Sequence, residues 1–268
     1  MDNPEFVIQT IPKMSVGIIG GLNRKRNNLI NAIIGKLIIP PALAILLRIT
    51  YDLQPRAQVI LNNGSMFNIS VDEIVKYINS YVISQSAETI DEIIVYYPCQ
   101  FCQKGIDIVN IPSCNGDINM VRFNEIMLSR LDETIMVINP EEPISEADCE
   151  LVYKELTGND SERLMFVIND IDVISPDERK YMAEAIKKRI LMTALDKLSE
   201  TYGSESEKYE EKKSKIEEYP FFLISSSNAL DARINGNDEL LVESGIQKFE
   251  DALAYILKER FENGERKK

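Results

Sequence analysis

The stretch Gly20-Gly21-Leu22-Asn23-Arg24-Lys25-Arg26-Asn27-Asn28 holds the densest candidate chemistry in the chain. It follows the apolar run Val16-Gly17-Ile18-Ile19 and precedes Leu29-Ile30-Asn31-Ala32-Ile33-Ile34-Gly35. The first run reads as a buried strand. The second reads as a helix closed by Gly35, with the polar residues 22–28 between them as a loop. Arg24, Lys25 and Arg26 then sit where a helix begins. N–H groups there lack intrahelical partners and the helix dipole is positive, so such a place attracts anions. The same residues also admit a solvated basic loop that binds nothing.

A second cluster is Cys99-Gln100-Phe101-Cys102, with Cys114 and Cys149 further on. Thiolates at C-x-x-C spacing suit zinc. Geometry argues against one shared site, because a strand over residues 106–111, whose ends lie roughly 17–20 Å apart at about 3.3 Å per residue, separates Cys102 from Cys114. The sequence has no His to complete such a site or to act as a general base. These are read as loop cysteines of a reducing compartment, and no metal site is assigned. The chain carries 43 acidic and 30 basic residues, a formal net charge of −13. That excess repels nucleic-acid phosphates and anionic headgroups at long range, so no nucleic-acid partner is expected.

Positioning these groups falls to an alternation of strands and helices. The chain has 268 residues, 44% hydrophobic and 27% charged, enough for a full core. Residues 44–51, 57–61, 93–97, 106–110, 134–138, 164–168 and 221–224 read as strands. The runs 134–138 and 164–168 are nearly continuous apolar sequence, as in a parallel sheet covered on both faces. Asn62-Asn63-Gly64-Ser65 reads as a hairpin-type turn. Residues 71–85 have helical spacing, and Ser175-Pro176 opens a helix running to about residue 200. Residues 202–218 are charge-dense and read as a solvated helix or a flexible excursion. Residues 245–261 read as an amphipathic closing helix. The expected fold is α/β, three layers, a mixed and mostly parallel sheet flanked by helices. No basic-then-apolar leader opens the chain. The apolar stretch 37–47 is too short and too Pro-broken to span a bilayer. A soluble, cytoplasmic protein is expected.

Four stretches, in order, resemble the GTP-binding (G) domain of bacterial dynamin-like proteins, a P-loop GTPase fold. Residues 20–35 resemble the phosphate-binding loop and its helix. Residues 48–70, with Gln54-Pro55-Arg56 and Asn63-Gly64-Ser65, resemble the segment after switch I. Tyr96-Tyr97-Pro98 through Gly105-Ile106-Asp107-Ile108-Val109-Asn110-Ile111-Pro112 resembles the run into the third GTPase motif. Ser225-Ser226-Ser227-Asn228-Ala229-Leu230, with Asn235-Gly236-Asn237-Asp238-Glu239 and Glu243-Ser244-Gly245-Ile246, resembles the end of that domain.

The resemblance also implies a degenerate site. A phosphate-binding loop reads G-x-x-x-x-G-K-[ST]. Gly20 stands at its first position, Lys25 at the second Gly, Arg26 at the Lys, and Asn27 at the Mg²⁺-ligating Ser/Thr. A non-Gly residue in that loop conformation costs roughly 1–3 kcal/mol. Arg is bulkier and planar, and a carboxamide offers Mg²⁺ only a neutral oxygen. Asn23, Arg24 and Asn28 complete the degenerate loop. The switch I Thr has no counterpart in Pro40-Pro41-Ala42-Leu43-Ala44. The D-x-x-G motif stands as Asn110 and Ser113, without its carboxylate. N-K-x-D stands as Asn169-Asp170-Ile171-Asp172, so Asn169 and the guanine-reading Asp172 are kept while Asp170 replaces the Lys stem. Ser225 and Ser226 could still offer a backbone N–H to the guanine oxygen.

GTP hydrolysis relies on positioning and charge neutralisation. The resemblance therefore implies hydrolysis near background and a pseudo-GTPase serving as a binding module, with no catalytic residue assigned. The family pairs G domains across the nucleotide face, so the expected partner is a dynamin-like GTPase or a second copy of this chain. Asp172 and Ser225 keep open a rival, a slow GTPase or a weak binder of GTP or GDP without Mg²⁺. A decayed product with no selected activity is a third reading. In the family a helical stalk and a membrane-contacting tip follow the G domain. Residues 1–268 are read as a single G domain, with a charged excursion over about 177–219 and without those parts. No direct membrane insertion is expected.

Overall fold

The computed structural model describes residues 13–20, 23–40, 43, 45–78, 90–112, 124, 126–141, 152–153 and 163–264. Its strands are β1 (Met14–Ile19), β2 (Leu46–Tyr51), β3 (Arg56–Leu61), β4 (Met66–Ile69), β5 (Ile90–Tyr97), β6 (Ile106–Asn110), β7 (Glu133–Ile138), β8 (Leu164–Asn169) and β9 (Phe221–Ile224). The helices that concern the site are α1 (Asn23–Ile34), α2 (Pro176–Tyr202), α3 (Glu207–Glu217), α4 (Ser226–Asn235), α5 (Asp238–Glu243) and α6 (Ile246–Glu262).

The strands form one sheet in the order β4-β3-β5-β2-β6-β1-β7-β8-β9. From β6 to β9 neighbours run parallel. β2 pairs antiparallel with β6 and parallel with β5, and β3 and β4 extend that side as antiparallel strands. This is the mixed, mostly parallel, helix-flanked α/β sheet expected from the sequence.

Period-two alternation splits the sheet's side chains between two apolar layers. Val16, Ile18, Ile135, Val137, Met165 and Val167 point to one layer, which α1, α4 and α6 cover. Met136, Ile138, Leu164, Phe166 and Ile168 point to the other, where Ile190, Ala194 and Leu198 of α2 and Ile216 of α3 close over them. β7 and β8 are buried at every position, which is why both read as continuous apolar runs.

At the rim where β7 begins, Arg260 of α6 donates to the Asp132 carbonyl at 2.8 Å and lies 3.0 Å from the Glu133 carboxylate. Burial pushes the Glu133 carboxyl up to about 8, against the opposing pull of Arg260.

Local differences from the sequence reading have physical reasons. The residues read as a loop over 22–28 are already helix from Asn23, because Asn27 and Asn31 satisfy their carboxamides elsewhere instead of competing for the helix backbone. The segment from residue 71 opens as a 3-10 turn, Val71–Glu73, capped by Ser70 and Glu73, and is helical to 78; residues 79–85 lie outside the described residues. Within the charge-dense stretch 202–218, α3 forms because Ser206 caps it, accepting from Tyr209 N–H. Ser175 takes the N-cap of α2 with Pro176 following, but its hydroxyl donates to Glu178 Oε2 at 2.6 Å and does not cap a backbone N–H.

Candidate functional site

Gly20 follows β1, Asn110 ends β6, Asn169 ends β8 and Ser225 follows β9. These strands are parallel, so the candidate residues gather at one edge of the sheet, beyond the carboxyl ends of its strands. Gly20 has φ 80°, and a Cβ there would stand 2.4 Å from Met136 Sδ and 2.8 Å from the Val137 carbonyl. Close packing against β7 therefore demands glycine at this position, whatever the loop binds.

The cations assigned to an anion site are largely engaged inside the protein. Arg26 is fully buried. Its Nη1 donates to the Gly20 carbonyl at 2.8 Å and its Nε to Asn110 Oδ1 at 3.3 Å. Lys25 pairs with the Asp170 carboxylate. Arg24 is exposed, and Asn28 is half-buried. Asn23 opens the helix. Lys25 lies in regular α-helix, so the strain expected of a non-Gly residue at this point of the loop does not arise. Among the described residues, Asp170, at φ 59°, is the one non-glycine with positive φ.

Asn27 links three elements. Its Oδ1 accepts from Asn110 Nδ2 at 2.8 Å, and its Nδ2 donates to the Pro40 carbonyl at 2.8 Å and to the Leu43 carbonyl at 3.2 Å. One helical turn on, Asn31 continues the pattern. Its Nδ2 donates to the Ile39 carbonyl, and its Oδ1 accepts from the N–H groups of Ile38 and Ile39, each at 2.9 Å. Asn27, Asn31 and Asn110 are all fully buried. The i, i+4 pair on α1 thus straps Ile38, Ile39, Pro40 and Leu43 onto the helix. The sequence reading missed Asn31, although its spacing from Asn27 was visible. Ser113 lies outside the described residues, as do residues 41, 42 and 44.

The other half of the site is more open. Asn169 is buried, donating to the Lys25 carbonyl at 3.1 Å and accepting from Ser226 N at 3.2 Å and Ser226 Oγ at 2.6 Å. The backbone N–H of Ser225 donates to the Ser244 carbonyl at 2.9 Å. The backbone N–H groups of Ser225 and Ser226 are thus both bonded within the protein. Asp172 is exposed, and its carboxylate accepts from Ser225 Oγ at 2.5 Å and Ser227 Oγ at 3.0 Å. Ser227 was not singled out from the sequence. Ser225 also caps α4, accepting from Asn228 N–H at 3.2 Å.

Cys99 and Cys102 are buried free thiols apart from this site, with Cys99 Sγ 3.7 Å from the Ile33 carbonyl. The hydrogen bond from the Cys102 thiol draws Cys99 down to about 7, and the same bond, with burial, pushes Cys102 up. Cys114 and Cys149 lie outside the described residues. Among the described residues no group of three His, Cys, Asp or Glu side chains could hold a metal ion, and no helix is long and apolar enough to cross a membrane.

Solved structures described as an oligomerised bacterial dynamin pair that senses and tethers membranes align with 92% and 91% of this chain, at TM-scores of 0.68 and 0.66 and identities of 16% and 15%. The chain has a dynamin-like GTPase fold. The LeoA bacterial dynamin GTPase from ETEC aligns with 91% of the chain at a TM-score of 0.55 and 14% identity. In sequence, the chain is 24% identical over 252 residues to an uncharacterized protein from the xynA 3′ region of Caldicellulosiruptor sp.. It is 22% identical over 267 residues to a bacterial dynamin-like protein of Nostoc punctiforme. It spans 56% and 37% of the lengths of those two proteins, and 45%, 38% and 36% of the three structures. No family model matches it.

Proposed function

We propose that this dynamin-like fold is a pseudo-GTPase, a nucleotide-independent binding module whose partner is a dynamin-like GTPase or a second copy, met through the face that carries the site. The observation that carries the reading is the closed network of Arg26, Asn27 and Asn110. At the positions where the family resemblance puts the phosphate-binding Lys, the metal-ligating hydroxyl and the metal-holding carboxylate, these three residues bond to one another and to backbone carbonyls. No carboxylate among them supplies the charge that Mg²⁺ requires. Entry of a triphosphate would break buried hydrogen bonds, each costly to leave unmade. Ile38, Ile39, Pro40 and Leu43, in the region a switch mechanism would move, are bonded through the Asn27 and Asn31 carboxamides. The partner is supported by the fold and by the oligomerised pair among its structural neighbours.

Asp172 favours a second reading, weak guanine recognition. Its carboxylate is exposed, and its partners are the hydroxyls of Ser225 and Ser227.

Thermal unfolding with GTP, GDP and ATP, each with Mg²⁺ and with EDTA, separates the two. A ligand at 100 times its Kd adds about 2.7 kcal/mol of stability. The pseudo-GTPase is expected to show no shift that depends on Mg²⁺. A shift with guanine nucleotides alone, equal in Mg²⁺ and EDTA, supports the second reading. Phosphate release above a buffer blank that disappears in Arg26→Ala overturns the proposal.

A further inference from the structure

The loop between β5 and β6 holds two thiols just beneath the surface. Cys99 and Cys102 are each 1% exposed, while Pro98, Gln100, Gln103 and Lys104 around them are exposed. The chain makes one turn here, with Gln103 N–H donating to the Cys99 carbonyl at 3.0 Å, before β6 begins at Ile106. Cys99 stands just ahead of that turn, where backbone N–H groups without a partner in the turn point back toward its side chain. Its sulfur accepts from the Cys102 S–H and from the backbone N–H groups of Cys102 and Phe101.

The two sulfurs are therefore in contact but not equivalent. Three donors on the Cys99 sulfur favour its thiolate and hold it at about 7, against burial and the Glu250 carboxylate. The same S–H bond, with burial and the carboxylates of Asp107 and Glu250, pushes Cys102 up and keeps it a thiol. The proton that Cys99 gives up is not needed by the fold. Its acceptor is the Ile33 carbonyl, 3.7 Å away, and Arg233 Nη1 already donates to that oxygen at 2.8 Å. Arg233 in turn is held by Glu250 at 2.7 Å. Losing the thiol proton leaves no buried acceptor unmet.

We infer that Cys99 and Cys102 form a peroxide-reactive dithiol, Cys99 the nucleophile and Cys102 the thiol that resolves it to a disulfide. The oxidant is small, hydrogen peroxide, because neither sulfur meets bulk solvent. The Cys99 thiolate attacks one peroxide oxygen. An S–O bond forms, the O–O bond breaks, and the departing hydroxide takes a proton to become water. The Cys102 sulfur then attacks the Cys99 sulfur. The S–S bond forms, the S–O bond breaks, and the hydroxide that leaves takes the Cys102 thiol proton. Two thiols and one peroxide give one disulfide and two waters. A resolving thiol already touching the sulfenic acid keeps it from further oxidation. The inference holds whether or not the candidate site binds nucleotide.

Peptide mapping tests this on the full chain. Trypsin, cutting after Lys76 and Lys104, releases residues 77–104, which carry Cys99 and Cys102 without Cys114 or Cys149. The folded, reduced protein is treated with hydrogen peroxide at pH 7, quenched with N-ethylmaleimide in urea and digested. The peptide should come out two hydrogens lighter and unalkylated, and dithiothreitol in urea should restore both thiols. The folded chain should oxidise at least about fivefold faster than the urea-unfolded chain, whose thiols return toward about 8.5. Burial alone predicts the reverse order. In Cys102→Ser, which keeps a hydroxyl donor for Cys99, dimedone added with the urea should trap a sulfenic acid on Cys99. In Cys99→Ser, Cys102 should stay alkylatable. A pair that stays alkylatable in the folded wild type, that oxidises faster once unfolded, or that reaches sulfinic acid without a disulfide overturns the inference. These wild-type readings decide it even where a variant fails to fold.

Discussion

The two halves of the candidate site sit on the same sheet edge and differ in how finished they are. Around Arg26, Asn27 and Asn110 the polar groups are fully buried and bonded to one another. Around Asp172 the carboxylate is exposed and its partners are two serine hydroxyls. The first half is built as core throughout, whereas the second sets a surface carboxylate on buried Asn169, Ser225 and Ser226. A buried polar network is stable only when its members are satisfied. Replacing a metal and a phosphate therefore requires several substitutions that satisfy one another, and Asn27 with Asn110 is such a set. An exposed carboxylate faces no such demand, so it can stay unchanged whether or not anything binds it.

The largest expected effect is at Asn27. Asn27→Ala strands the carbonyls of Pro40 and Leu43 and the amide of Asn110, so unfolding in urea should show a loss of about 2–4 kcal/mol. Hydrogen exchange should report local release as well. Amides in the segment 38–43 should exchange at least about tenfold faster in the variant, while in the wild type they should exchange equally with and without GTP and Mg²⁺. Nucleotide-dependent protection of this segment would mean that it is a working switch.

A pH profile sharpens the same contrast, because the closed half contains no group that titrates between about pH 5 and 9. The loss in Asn27→Ala should be flat across that range. The downward slope there comes from Glu133 at the opposite rim, with buried Glu250 acting in the same direction, while Cys99, drawn down to about 7, adds stability above that pH. The folded value of Glu133, about 8, is raised above the ordinary carboxyl value of 4.5. Its contribution is fully present below the unfolded value and lost as pH rises toward 8. Stability of the wild type should fall over that window, and Glu133→Gln should flatten the curve.

Between the halves lies Lys25–Asp170, with side chains 19% and 9% exposed. A double-mutant cycle with Lys25→Met and Asp170→Asn should give a coupling of about 1–3 kcal/mol. Asn is chosen because it tolerates the left-handed backbone at this position. A coupling near zero would detach the base-side loop from α1.

What the sequence made legible follows from this division. Apolar runs gave β1, β6, β7 and β8 within a residue or two, because burial on both faces leaves no ambiguity of period. Family spacing brought Gly20, Arg26, Asn27, Asn110, Asn169, Asp172, Ser225 and Ser226 to one edge. Their partners were not legible. That Lys25 reaches Asp170, 145 residues away, or that Asn31 accepts from Ile38 and Ile39, depends on tertiary placement that no local pattern encodes. The start of α1 at Asn23 was missed for the same reason, since Asn is a weak helix former until its side chain finds a partner elsewhere.

The smallest effect should be at Asp172. Asp172→Ala removes two hydrogen bonds from an exposed carboxylate, water can take over at exposed Ser227, and buried Ser225 keeps its contacts with Asn228 N–H and Ser227 Oγ, so stability should change by less than about 1 kcal/mol. Ser225 would still cap α4 through its contact with Asn228 N–H, which isolates the carboxylate as the only group lost. If guanine nucleotides shift the wild-type unfolding midpoint at all, this variant should abolish that shift while Asn27→Ala leaves it in place, because the base is read at the open half alone. A shift that survives Asp172→Ala but disappears in Asn27→Ala would reverse the assignment of the two halves, making the buried network a ligand site and the exposed carboxylate incidental.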